Sequence, residues 1–387
     1  MSDLKRRRIG ALPKLPIRAA RAAVGLALLV AAPSTLRAQY ESEPVHVGAL
    51  IRTGLQFQPS SSGLTNGFEI WDARANVGGN IGLIFDYWIE GAFETQSFDT
   101  GTFGGEQGGF TLLDAKLTIP IIPELEVSVG QFKTPFSREF LLYKADIQFV
   151  ERSQVVLALA PGRQLGLQVA GSALGTRLWY GAGMFNGNGR TLSNDNNSFL
   201  WMGRVRYNTV GDIEFYEDLV IQVGANAAFS NDSAVDVALA GDLGPPPIDA
   251  ASYEGDRFLW GFDAALSYRG FFVNGEYIQG RFSPSQLQGD VVLPTDPETT
   301  VAQGYYIEGG YSLWGAIEGV FRYDRYTPAD AAQASDGPVS QFLVTGINIY
   351  PGFFAKIGLQ YTFGLDGTTR GIALVDDQFS LLAQLSF

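Results

Sequence analysis

"QFSLLAQLSF" (Gln378–Phe387) closes the chain on an alternation that only Leu382 interrupts. Phe379, Leu381, Ala383, Leu385 and Phe387 fall on one side; Gln378, Ser380, Gln384 and Ser386 fall on the other. A period of two is what an extended strand shows when its two faces meet different surroundings. The preceding stretch, "FFAKIGLQYTF" (Phe353–Phe363), sets Phe353, Ala355, Ile357, Leu359, Tyr361 and Phe363 against Lys356, Gln360 and Thr362. Further back, "FLWGFDAALSYR" sets Phe258, Trp260, Phe262, Ala264, Leu266 and Tyr268 against Asp263, Ser267 and Arg269.

About sixteen such segments, each about 10 to 14 residues long, can be laid on residues 45–387. Long polar gaps lie near 58–66, 98–109, 134–160, 187–197, 231–255, 283–302, 327–338 and 365–374. Shorter gaps lie between them, near 79–82, 120–123, 172–176, 208–217, 269–271, 313–315 and 350–353. An up-and-down barrel with one looped rim and one tight-turned rim predicts this alternation. The segments are long enough to cross hydrocarbon when tilted, and closure leaves no backbone group unpaired in lipid. A soluble β-sandwich would carry strands of about 5–6 residues, and a propeller would show a fixed blade repeat. The expected fold is therefore all-β: a transmembrane antiparallel up-and-down barrel of about sixteen strands. The last strand, ending on Phe387, resembles the C-terminal membrane-insertion signal of bacterial outer-membrane barrels.

A lysine or arginine facing lipid at mid-depth costs about 2–4 kcal/mol, so the charged residues fix the register. It turns Arg74, Lys116, Arg204, Arg206, Arg269, Arg322 and Lys356 inward. Asp72, Glu90, Asp114, Glu126, Asp263, Glu276, Glu308, Glu318 and Asp324 turn inward with them. So polar an interior reads as a hydrated lumen. Most of the six tryptophans suit interfacial girdles, while Trp88, Trp179 and Trp314 are candidates to face the lumen.

The first 38 residues read differently. Lys5, Arg6, Arg7, Arg8, Lys14, Arg18 and Arg21 precede the uncharged apolar run Ala22–Ala32, too short to span a bilayer as a helix. Residues 1–38 are expected to be a cleaved export signal, 39–44 a short lead-in, and 45–387 the barrel. Without that segment the chain is strongly acidic, which excludes nucleic acid as a natural partner. There is no cysteine, hence no disulfide or thiolate metal site.

Between Lys133 and Arg163 the alternation stops. Lys133, Arg138, Lys144, Arg152 and Arg163 stand there against Glu139, Asp146 and Glu151, a net of +2 in an acidic chain. The same stretch holds Phe136, Phe140, Leu141, Leu142 and Tyr143, which a loop in open water would not need. The third long loop is expected to fold into the lumen, with its apolar side on the wall and its charges narrowing the path. The acids Glu139, Asp146 and Glu151 are candidates to pair with these bases and fix the loop. Arg204 and Arg206 would extend the ion path along the wall.

"VGQFKTPFSRE" (Val129–Glu139), "FVERS" (Phe149–Ser153) and "PGRQLGLQVAG" (Pro161–Gly171) resemble, in order and spacing, the phosphate-selective porin O and P family. The resemblance implies a sixteen-stranded outer-membrane barrel, usually a homotrimer, that passes small ions and solutes, with anions such as phosphate as candidates. Outer-membrane lipid and lipopolysaccharide would surround it. Members that select phosphate use ladders of arginine and clusters of lysine. Beyond residue 38 this chain has only Lys116, Lys133, Lys144 and Lys356.

Catalytic chemistry finds little support. His46 is the only histidine and would have to serve any Ser-His-Asp triad from the first strand. "GNGR" and "GGEQGG" are glycine-rich without a strand-to-helix phosphate context. Asn194–Asn197 and Pro294–Thr300 are acidic loops, read as solvated rather than as calcium sites. No cofactor and no metal is expected. The rival to a channel is a plugged barrel serving as an adhesin or surface receptor.

Overall fold

The computed structural model describes residues 45–60, 63–82, 84–93, 110–122, 124–209, 219–235, 253–286, 299–328, 339–365 and 377–387. The expected export signal and lead-in lie outside these residues, as do most of the long rim connections. Sixteen strands follow in order: β1 (His46–Ser60), β2 (Gly63–Ile81), β3 (Phe85–Phe93), β4 (Phe110–Ile122), β5 (Leu125–Lys133), β6 (Arg163–Ala173), β7 (Leu178–Phe185) and β8 (Leu200–Asn208). They continue with β9 (Leu219–Val235), β10 (Tyr253–Tyr268), β11 (Phe271–Gln286), β12 (Thr300–Leu313), β13 (Ile317–Thr327), β14 (Ser340–Gly352), β15 (Ala355–Gly364) and β16 (Gln378–Ser386). Two short helices, α1 (Arg138–Leu141) and α2 (Gln154–Leu159), lie between β5 and β6.

Each strand pairs antiparallel with its neighbour in sequence, and β1 pairs with β16 to close the wall. Closure removes the unpaired edge that lipid would not tolerate. The seam runs from Leu50 opposite Ser386 to Phe57 opposite Phe379. Phe387 extends it, exchanging two backbone hydrogen bonds with Ala49.

The outer face is apolar. Phe262 and Phe363 are 54% and 39% exposed, whereas Asp263, next to Phe262 but on the inner face of β10, is 3% exposed. The inner face carries the charges assigned to it by alternation, all buried or half-buried, with one exception. Arg269 is not on the wall. It forms the two-residue turn between β10 and β11 with Gly270, at φ 47° and 88°. Two successive positive φ angles are the requirement of a type I′ hairpin turn, whose twist matches the strands it joins. Trp314 is likewise a turn residue, at φ 51° and 90% exposed, so it does not face the lumen. The gap expected near 58–66 is largely ladder: β1 and β2 pair up to Ser60 opposite Gly63.

The interior is not uniformly wet. Phe136, Phe140, Val155, Val156 and Leu159 from the β5–β6 connection are buried against Phe185, Met202, Leu259, Ile278, Phe282 and Tyr306 of the wall. This apolar wedge packs mainly on the side of the lumen bounded by β7–β13, where charged wall groups such as Asp263 and Glu276 are buried with it.

Candidate functional site

The segment from Thr134 to Gly162 is bonded across the barrel to strands far from its own ends, which places it inside the closed wall. From β11, Glu276 accepts hydrogen bonds from Ser137 Oγ (3.0 Å) and from the backbone N–H of Arg138 (3.1 Å) and Glu139 (3.3 Å). The two backbone donors are orphans at the start of α1, where a carboxylate is favoured. Ser137, at φ 59°, caps the same turn by accepting from Phe140 N–H. From β13, Arg322 donates to Glu139 (3.2 Å), and Asp324 accepts the first N–H of α2, from Gln154, at 2.7 Å. Asn348 of β14, Lys356 and Gln360 of β15, and Gln384 of β16 bond to the backbone of residues 145–150. Arg52 of β1 completes the circuit on the Val150 carbonyl.

On the β1–β6 side the inner wall carries an ionic chain. Arg52 pairs with Asp72 (2.9 Å), Asp72 with Arg74, Arg74 with Glu90 (3.3 Å), Glu90 with Arg163 (3.8 Å) and Arg163 with Asp114 (3.0 Å). Lys133 lies within Coulombic reach of Arg152, Arg163 and Arg74 and of the Asp114 carboxylate. Behind the loop, Arg204 pairs with Asp263 (2.6 Å), and Arg322 lies between Glu139 and Glu308.

The residues singled out from sequence take several positions. Lys133 is half-buried and donates to the Leu142 carbonyl at 2.6 Å. Arg138 is half-buried and donates to Gln222 at 3.1 Å. Lys144 is buried and pairs with Glu151. Burial pulls its ammonium below the ordinary lysine value, and the Glu151 carboxylate opposes that pull. Arg152 is buried and donates to the Glu139, Phe140 and Leu142 carbonyls, where α1 ends. Arg163 belongs to the ionic chain, Arg204 to the buried pair with Asp263, and Arg206 rests against the Trp179 ring at 5.9 Å. Of the loop acids, Glu151 meets a loop base, Glu139 meets a wall base and Ser153, and Asp146 is exposed. Burial, reinforced by the charge of Glu90, pushes the Tyr143 hydroxyl up to about 12.

Arg52 was missed. Its side chain is fully buried, and the alternation of β1 alone carried the signal for it. Among the described residues no cluster of His, Asp and Glu is placed to hold a metal ion. Asn194–Asn197 closes on itself through Asn194 and Asn196 side-chain bonds, and residues 294–298 of the second acidic loop lie outside the described residues.

A closed sixteen-strand wall, apolar outside, ionised inside and crossed by one inward loop, defines an outer-membrane porin. The model of the phosphate-selective porin O and P family matches residues 53–331, and the chain belongs to that family. It is an outer-membrane channel for the passive diffusion of small hydrophilic solutes, located in the bacterial outer membrane. Solved structures agree in fold. The anion-selective porin from Comamonas acidovorans is 14% identical, with a TM-score of 0.60 over 90% of this chain and 100% of that one. OmpF of Salmonella typhi, solved with daunomycin, is 12% identical, with a TM-score of 0.61 over 89% and 97%. OmpT of Vibrio cholerae, in its trimer form, is 12% identical, with a TM-score of 0.56 over 89% and 99%. No curated protein matches the chain.

Proposed function

We propose that the channel prefers small anions, and that they pass between the inward loop and the β1–β6 wall. The observation that carries this reading is an uneven distribution of charge. At the level of the loop Arg52, Arg74, Lys133, Lys144, Arg152 and Arg163 stand against Asp72, Glu90, Asp114 and Glu151, while Asp86, Lys116 and Glu126 of the same wall lie nearer the tight-turned rim and Asp146 lies beside Lys356 of β15. Behind the loop there is no such surplus of bases, with Glu139, Asp232, Asp263, Glu276, Glu308 and Asp324 against Arg138, Arg204, Arg206, Arg257 and Arg322. In a narrow, low-dielectric passage a surplus of fixed positive charge raises the local concentration of anions. Lys133, half-buried and beside the open part of the lumen, is the base best placed to meet a passing ion; Arg163, Arg152 and Lys144 act from behind it. The anion-selective porin named above has the same fold, which is compatible with this reading.

The test is a reversal potential across a KCl gradient in planar bilayers. Wild type should lie toward the chloride potential, and Lys133→Gln combined with Arg163→Gln should move it toward zero. A reversal potential unchanged by the double substitution would remove these bases from selection while leaving the channel intact.

The working form is proposed to be a homotrimer set in lipid and lipopolysaccharide, with residues 1–38 removed on export and Phe387 serving as the insertion signal. The trimeric form of OmpT, on the same fold, supports the first point. No catalytic role is proposed: His46→Ala should leave conduction unchanged.

A further inference from the structure

Below the inward loop, on the β1–β7 side, lies an open cavity of about 600 Å³. It reaches from Lys133 and Leu141 of the loop region to His46, Asn80 and Asp86 beside the tight-turned rim. Two indoles line it, Trp88 on β3 and Trp179 on β7. Both are bedded on glycine. A Cβ on Gly78 would sit 2.6 Å from Cε3 of Trp88, and one on Gly181 would sit 2.7 Å from Cη2 of Trp179. Each benzo ring therefore occupies the space over a glycine of the wall, an arrangement that any larger residue would displace. Arg206, its cross-strand neighbour on β8, has its guanidinium 5.9 Å from the Trp179 ring centroid.

The remaining lining is polar but not of one sign. Asp86 and Glu126 offer carboxylates, Lys116 and Lys133 offer ammonium groups, and Thr118 and Gln168 offer a hydroxyl and an amide. Such a mixture does not favour a simple anion. Indole faces take apolar C–H surface, while carboxylates, amides and ammonium groups take hydroxyls. A ring with C–H faces and a hydroxylated rim satisfies both requirements. The volume is within the range of about 300–1,000 Å³ usual for small-molecule sites.

We propose that this vestibule is a binding site for a neutral sugar, with Trp88 and Trp179 as stacking platforms and Asp86, Glu126 and Gln168 as hydroxyl partners. It adjoins the charged constriction at Lys133 and Asp114 and gives the channel a second solute class. The inference rests on the lumen being a water-filled passage.

The test uses the purified full-length barrel and maltotriose, with sorbitol, which has no ring, as control. In planar bilayers maltotriose should block the current saturably, and more strongly from the tight-turned side. Trp88→Ala and Trp179→Ala should each weaken the block about tenfold without abolishing KCl conductance, and Trp88→Phe should restore most of it. Tryptophan fluorescence in detergent, titrated with maltotriose, reports binding even where no current is seen. Absence of current with a saturable fluorescence change would overturn the channel reading and keep the site. A wild-type barrel that conducts but shows neither block nor fluorescence change would overturn the site alone. Equal block by sorbitol, or block unchanged in both tryptophan variants, would also overturn it.

Discussion

Glu276→Ala should loosen the inward loop and leave the barrel standing. The Glu276 carboxylate receives three hydrogen bonds from the start of α1, at 3.0, 3.1 and 3.3 Å, and its residue is 3% exposed. A buried donor left without a partner costs about 1–3 kcal/mol, so three of them destabilise the docked loop by at least about 3 kcal/mol if water does not replace the carboxylate. That is roughly a hundredfold in the docking equilibrium. The loop would still be held by the Arg322–Glu139 pair and the Phe136–Phe140–Val155 wedge, so the expected result is transient release rather than permanent opening. Single-channel recordings should show higher open-state noise and a raised mean conductance. An opposing effect comes from removing a negative charge beside Asp263 and Glu139. Glu276→Gln separates the two, because it removes the charge and keeps one carbonyl acceptor. Noise in the alanine variant and relative quiet in the glutamine variant would assign the effect to hydrogen bonding. An alanine variant as quiet as wild type, with the folded barrel intact by its gel mobility, would refute the anchoring role.

Two further outcomes follow from the same geometry. Lys144 is buried among Glu151, Asp72, Arg52 and Arg152, and burial lowers its proton affinity below that of an ordinary lysine. Its positive charge is therefore present at low pH and lost at a lower pH than an exposed lysine would lose it. Reversal potentials taken from neutral pH upward should show anion preference falling before an ordinary lysine would titrate, and Lys144→Gln should flatten that change. Ile307 is 48% exposed in the middle of the outer face of β12. Ile307→Arg should cost about 2–4 kcal/mol in lipid, read as a lower urea midpoint in vesicles, with little change in reversal potential.

The barrel was legible because a lipid-facing wall imposes one simple rule on every strand. Phe258, Phe262 and Leu266 against Asp263 and Ser267 state that rule without help from the rest of the chain. The inward loop was legible for a different reason: Phe136 and Phe140 are too apolar for open water, and Arg138 and Arg152 too charged for a strand in lipid. What the loop touches was not legible. Glu276 and Asp324 were expected to line the lumen, but their attachment to the starts of α1 and α2 joins residues 138 and 170 positions apart. Alternation places a side chain inside the wall and says nothing of which interior group it meets. Arg269 and Trp314 failed for a local reason, since alternation was carried one residue too far, into turns whose positive φ angles end the strand. The loop's apolar side was expected on the wall, but the residues that receive it, Leu259, Ile278 and Phe282, were not, because they occupy inward positions that a purely wet lumen would fill with polar groups.

The central claim is a continuous water path between the inward loop and the β1–β6 wall. Single-channel current in KCl from the purified, folded protein tests it most directly. Discrete conductance steps, with reversal toward the chloride potential under a salt gradient, are the expected result. A folded barrel that inserts into the bilayer and passes no current would contradict it, and would make the loop a plug.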